Sequence, residues 1–195
     1  MRVLAFAVVA ALAVTTALIG PAAPLVRAQA ADLLPSVAEL NTTLAPRSVS
    51  GFAAGPGADG WDATAKFEIL GVPDAAVQST VDVSELPTPE GAAGFLQTKL
   101  QELRTGTQQN GFMGEVGPAT ADLTFEADEA YWGVYLSSPA AGNPMIVALH
   151  VSRFETQVIA TTVVMRMNSN GPIPDDAGVN LGIITGQIVH LMNTD

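Results

Sequence analysis

Apolar and polar residues alternate one by one over residues 61–69, where Trp61, Ala63, Ala65, Phe67 and Ile69 are separated by Asp62, Thr64, Lys66 and Glu68. A period of two puts the first set on one side of a strand and the second set on the other. Val77, Ser79, Val81 and Val83 alternate in the same way with Gln78, Thr80 and Asp82. Gly71-Val72-Pro73-Asp74 supplies turn chemistry between the runs, so the pair is read as a hairpin whose polar face meets water. At Thr88-Pro89-Glu90 the period becomes helical: the hydroxyl caps, proline fits the first turn and the carboxylate meets the positive end of the dipole. Ala92, Leu96, Leu100 and Leu103 then form one apolar stripe, and Thr105-Gly106 is expected to stop the helix at Arg104.

Strand signals dominate further on. Leu123, Phe125 and Ala127 alternate, and residues 130–137, 145–152 and 156–167 are rich in β-branched and aromatic side chains. Met145, Val147, Leu149 and Val151 share one strand face while Ile146 and Ala148 share the other, so this part of the sheet is covered above and below. Asp175-Asp176 opens a last helix to Met192, with Leu181, Ile184, Ile188, Leu191 and Met192 as its buried stripe. Residues 32–40 read as a short amphipathic helix with Pro35 in its first turn. Residues 45–60, rich in Gly, Pro, Ala and Ser, are expected to hold at most one short strand near 49–52. Residues 108–121 are expected to form a long connection with a short strand at most.

These elements predict an α+β fold, an antiparallel sheet of about 5–7 strands packed by two main helices. With the short N-terminal helix on the second face, it becomes an α/β/α sandwich. No period of 20 to 50 residues recurs.

The opening residues carry a different message. Arg2, an apolar run over residues 3–19, a Gly20-Pro21 break and Ala28-Gln29-Ala30 match a secretory signal with cleavage after Ala30. A retained anchor is the competing reading, since a 17-residue, predominantly apolar run reaches the lower edge of a span. Membrane contact is expected only in that case. A lipid anchor needs a cysteine, and the chain has none. The expected organisation is therefore a signal peptide (1–30), an N-terminal helix with a Gly/Pro-rich segment (31–60) and a single α+β domain (61–195).

Composition narrows the chemistry. All 19 acidic residues follow Ala30 while Arg2 and Arg27 precede it, so six basic residues remain and the mature charge is −13. Nucleic acid is excluded as a partner by the missing basic stripe. Without cysteine there are no disulfides, thiol nucleophiles or thiolate metal sites. His150 and His190 fit no HExxH or HxH spacing and are read as structural, so no metal or cofactor is expected. The acidic groups at Asp122, Glu126, Asp128 and Glu129, and at Asp59 and Asp62, miss the calcium-loop pattern and are read as solvated turns. Gly111, Gly114 and Gly117 lack the lysine and following helix of a phosphate loop.

Three constellations remain. Trp61, Tyr131, Trp132 and Tyr135 are the candidate lining of an apolar ligand groove. Gly178, Gly182 and Gly186 stand four residues apart in the last helix, as close approach of that helix to the sheet or self-association as a homodimer would require. Ser137 and Ser138 at a strand end, or Ser152 two residues from His150, are the available hydrolase nucleophiles, although no G-x-S-x-G elbow is present. The expectation is an exported, non-enzymatic binding or accessory domain for a protein or small apolar ligand; a hydrolase or a self-associating envelope component is the alternative.

The run Ala127-Asp128-Glu129-Ala130-Tyr131-Trp132 is followed by a hairpin, strands at 146–153 and 158–165, and a closing helix. This order of elements resembles exported bacterial PsbP-like domains, including those of small lipoproteins and sensor ectodomains. The resemblance implies a helix-clad antiparallel sheet with an accessory or binding role and transfers no site residue. The chain departs from it in having Arg153-Phe154-Glu155-Thr156 where a Gly-Asn turn is common, and in lacking the lipobox and paired cysteines.

Overall fold

The computed structural model describes residues 32–109, 112–120, 124–137, 143–169 and 172–193. The expected signal segment lies outside the described residues, as do Leu123 and Asp122. In chain order the elements are α1 (Val37–Thr43), β1 (Ser48–Pro56), β2 (Ala63–Leu70), β3 (Ala75–Glu85), α2 (Pro89–Gln109), β4 (Phe112–Pro118), β5 (Glu129–Ser137), β6 (Met145–Phe154), β7 (Gln157–Met167) and α3 (Ala177–Met192). The strands form one seven-stranded sheet in the order β1-β2-β3-β7-β6-β5-β4, antiparallel throughout. Two meanders, β1–β3 and β4–β7, meet along β3 and β7, whose register runs from Ala75 opposite Met167 to Glu85 opposite Gln157.

Alternation then divides the side chains between two cores. On one face α3 and α1 cover Phe67, Ile69, Val81, Val83, Ile146, Ala148, Val163 and Met165. On the other, α2 covers Val116, Tyr135, Val147, Leu149, Val151, Val158 and Ala160. The two main helices thus lie on opposite faces. The short helix shares its face with α3, where Gln187 Nε2 donates to the Thr43 carbonyl at 2.9 Å.

Several elements differ from expectation for identifiable reasons. Helix α1 starts after Pro35, because Ser36 caps it: Ser36 Oγ accepts from Glu39 N–H at 3.3 Å and Glu39 Oε2 accepts from Ser36 N–H at 2.8 Å. Residues 48–56 form a nine-residue edge strand, longer than the Gly/Pro-rich composition suggested, because pairing with β2 and a bulge between Ser50 and Ala53 absorb Gly51. Thr88 caps α2 as expected, Oγ1 accepting from Gly91 N–H at 3.1 Å. The helix then continues past Thr105-Gly106, where Thr105 Oγ1 donates back to the Gln101 carbonyl at 2.8 Å. The expected connection after it contains β4, an edge strand paired over its length with β5; Gly133 gives room there, since a Cβ would meet Val116 Cγ2 at 2.5 Å. The alternation at Phe125 and Ala127 is a turn rather than a strand, with Phe125 and Glu126 at φ 50° and 67°. Phe125 instead lays its ring against His150 and His190, with centroids 5.7 and 6.4 Å away.

Candidate functional site: a groove beside helix α2

Seven strands about 4.8 Å apart span roughly three helix widths, so one helix leaves part of a face open. Helix α2 lies over β4, β6 and β7. The step down from it to β2 and β3 is a groove of about 530 Å³, whose walls include Asp59, Trp61, Lys99, Glu102 and Leu103 and whose floor includes Thr64, Lys66, Thr80 and Asp82. At the end nearer β4, the lining turns apolar with Phe112, Val147 and Val164.

One wall is built around Lys99, which is 5% exposed although it is a lysine. Its ammonium donates to the Asp59 carbonyl and to Glu102 Oε2 at 2.8 Å, and lies 5.8 and 5.3 Å from the centroids of Trp61 and Phe95. Asp59 and Gly60, at φ 53° and 87°, take left-handed conformations in the turn that brings this carbonyl to the helix. Trp61 packs edge-on against Phe95 at 5.1 Å. The cation is thereby neutralised and its stem shielded.

Asp82 is different. It stands in no ion pair among the described residues. Burial pushes its carboxyl above the usual aspartate range, a tendency reinforced by Asp59 and opposed by the Thr64 hydroxyl, Lys66 and Lys99. Thr64 sits directly across from it in the β2–β3 register, and Thr64 Oγ1 is buried without a hydrogen bond of ordinary geometry.

The structure does not bring the four candidate aromatics together. Trp61 lines the groove. Tyr135 is buried in the α2 core, and Tyr131 lies on the same face, where its hydroxyl donates to Glu129 at 2.7 Å. Trp132 packs on the opposite face near His150, because neighbours on a strand point to opposite sides. Lys99, Asp82 and Thr64 were not singled out from the sequence. A signal for Lys99 existed: it falls in the series Ala92, Leu96, Lys99, Leu103, on the apolar stripe itself.

The glycine row also requires a correction. Helix α3 packs through Leu181, Ile184, Thr185 and Ile188, while a Cβ on Gly178 or Gly182 would meet nothing within 4 Å. Close approach to the sheet is therefore not their role; only Gly186 has a neighbour, Phe125 Cζ at 3.7 Å. Ser152 and His150 share a face of β6, but both are buried, and Ser152 Oγ has no hydrogen bond among the described residues. Such burial leaves no room for a substrate beside either side chain among the described residues.

Among the described residues no three His, Asp or Glu side chains converge on a metal position. Asp128 and Glu129 brace the β6–β7 turn: Asp128 Oδ2 accepts from Glu155 N–H at 2.6 Å, and Arg153 pairs with Asp128 at 3.2 Å and Glu129 at 3.7 Å. No helix among the described residues is long and apolar enough to cross a membrane.

No family model and no curated protein matches the chain. Among solved structures it is similar to the extracellular domain of PknH from Mycobacterium tuberculosis, at 12% identity and TM-score 0.43, over 84% of this chain and 96% of that one. It is also similar to the Saccharomyces cerevisiae Ran-binding protein Mog1p, at 10% identity and TM-score 0.29, over 73% of this chain and 90% of that one. Neither likeness assigns a residue or a ligand to this chain.

Proposed function

We propose that this chain is an exported, non-enzymatic binding domain of the bacterial cell envelope that holds a small ligand in the groove beside α2. The groove itself carries the reading: its volume of about 530 Å³ and its apolar lining with a few convergent polar groups have the character of a ligand site. Export rests on the signal pattern of residues 1–30. Native mass spectrometry of protein isolated from the envelope tests the ligand. A small-molecule adduct is expected on the wild type and should be lost from Gly106→Trp, which fills the groove from its α2 wall. No adduct, or equal adducts on both proteins, removes the reading.

A second reading, self-association through α3, is favoured by the outer face of that helix. Its sixteen residues include no Asp, Glu, Lys or Arg, and Val179 and Ile183 are 64% and 49% exposed beside Gly178 and Gly182. Two acidic bodies meet with least repulsion across an uncharged face, and small residues let backbones approach. Sedimentation should then show a dimer that Gly182→Leu weakens; a monomeric wild type rejects it.

A further inference from the structure

The groove is polar at one end and apolar at the other. Phe112, Val147 and Val164 line the apolar end, with Leu103 on the helix above. Thr64, Asp82, Lys66 and Thr80 form the polar floor. Its charged lining comprises three carboxylates, Asp59, Asp82 and Glu102, against two ammoniums, Lys66 and Lys99. Lys99 is already matched by Glu102 at 2.8 Å. Lys66 is exposed, so solvent screens its field. Asp82 is left as a half-buried carboxylate outside any ion pair among the described residues, beside a buried Thr64 hydroxyl that no hydrogen bond of ordinary geometry satisfies. A carboxylate so placed is best satisfied by a cationic donor.

We propose that the groove takes an amphiphilic organic ammonium, with its charged head at Asp82 and Thr64 and its apolar body along Leu103, Phe112, Val147 and Val164. This rests on the groove being the ligand site and adds the class of ligand. Lys99 shows in miniature what the site accommodates, an ammonium beside Trp61 and Phe95 with an oxygen partner. A fatty carboxylate meets the opposite situation, because Asp82 and Asp59 would face its head.

The test uses three probes of equal chain length: octylammonium, octanol and octanoate. The chain has two tryptophans, so Trp132→Phe leaves Trp61, in the groove wall, as the sole tryptophan, excited selectively over the two tyrosines. Octylammonium should bind about tenfold more tightly than octanol, the scale of a partly buried charged hydrogen bond, and octanoate most weakly. Asp82→Asn should abolish the preference for octylammonium over octanol, and added salt should narrow the gap in the unsubstituted protein. The preference should also fade as acid protonates Asp82, in the field of Asp59 from the loop, Lys66 from β2, and Lys99 and Glu102 from α2. Equal or tighter binding of octanoate, or an ammonium preference that survives Asp82→Asn, overturns the proposed ligand class while octanol binding upholds the groove. Failure of all three probes to shift Trp61 emission overturns both.

Discussion

On one face of the sheet α1 and α3 lie side by side, and the strands beneath them present Ala63, Ala65, Phe67, Ile69, Val77, Val81 and Val83, all nearly inaccessible. On the other face α2 lies alone among the described residues, and the same two strands present Thr64, Lys66, Glu68, Gln78, Thr80 and Asp82. Strands β2 and β3 therefore contribute to a core and to an open groove at once, one residue apart. Helix coverage decides which is which. Two helices seal a face into core, whereas a single helix creates a step, and the polar residues beyond that step become a floor.

The largest test of this contrast is a pair of adjacent substitutions in β2. Phe67→Ala should cost about 3–5 kcal/mol by leaving a cavity in the sealed core, whereas Lys66→Ala should fall within about 0.5 kcal/mol. Urea unfolding of the two variants checks it; similar losses would mean that the groove floor is packed after all. Next comes Lys99, the place where the α2 face is sealed by a charge. Lys99→Met keeps the stem but leaves the Asp59 carbonyl and Glu102 without their donor, for an expected loss of about 1–3 kcal/mol in the same assay.

Asp82 sharpens the comparison with the opposite sign. Because burial raises its folded-state pKa, ionised Asp82 opposes folding above that pKa. The cost is relieved as pH falls through the folded value toward the ordinary one. Asp82→Asn should accordingly raise the melting temperature at neutral pH, with a gain that shrinks in acid. Glu39, on the other face, behaves conversely: hydrogen bonds from Ser36, side chain and then backbone, hold its carboxyl below the usual range. Its contribution is present above the ordinary glutamate pKa and lost as pH falls through the lowered one. Glu39→Gln should only loosen the first turn of α1, read as faster amide exchange there.

Much of this architecture was legible in the residues. The alternation of β2 from Ala63 to Ile69 and of β3, the Thr88-Pro89-Glu90 start of α2 and the two-sided apolar run of β6 each correspond to the observed element, whereas Trp61 precedes β2 and packs in the opposite core beneath α2. Turn-rich composition concealed β1 and β4, because an edge strand needs a partner on one side and tolerates Gly and Pro that a central strand would not. Phe125 misled in the opposite direction, since its alternation with Ala127 belongs to a turn whose backbone is left-handed. The aromatic candidates were scattered by the alternation that defines a strand: Tyr131 and Trp132 cannot share a face. The glycine row was visible as a spacing, but which side of α3 it occupied was not.

What the sequence determined by itself was local: period, caps, turns and the division of each strand into a dry and a wet side, because these depend on residues within a few positions of one another. Which wet side became a groove was decided only by tertiary structure. Asp82 and Thr64 lie on neighbouring strands, and Lys99 on a helix reached by a crossover; their meeting depends on α2 crossing to β4 at the far edge of the sheet. Burial then moves the pKa of Asp82 and encloses the charge of Lys99, and no pattern along the chain encodes how much water a neighbour from a distant segment will displace.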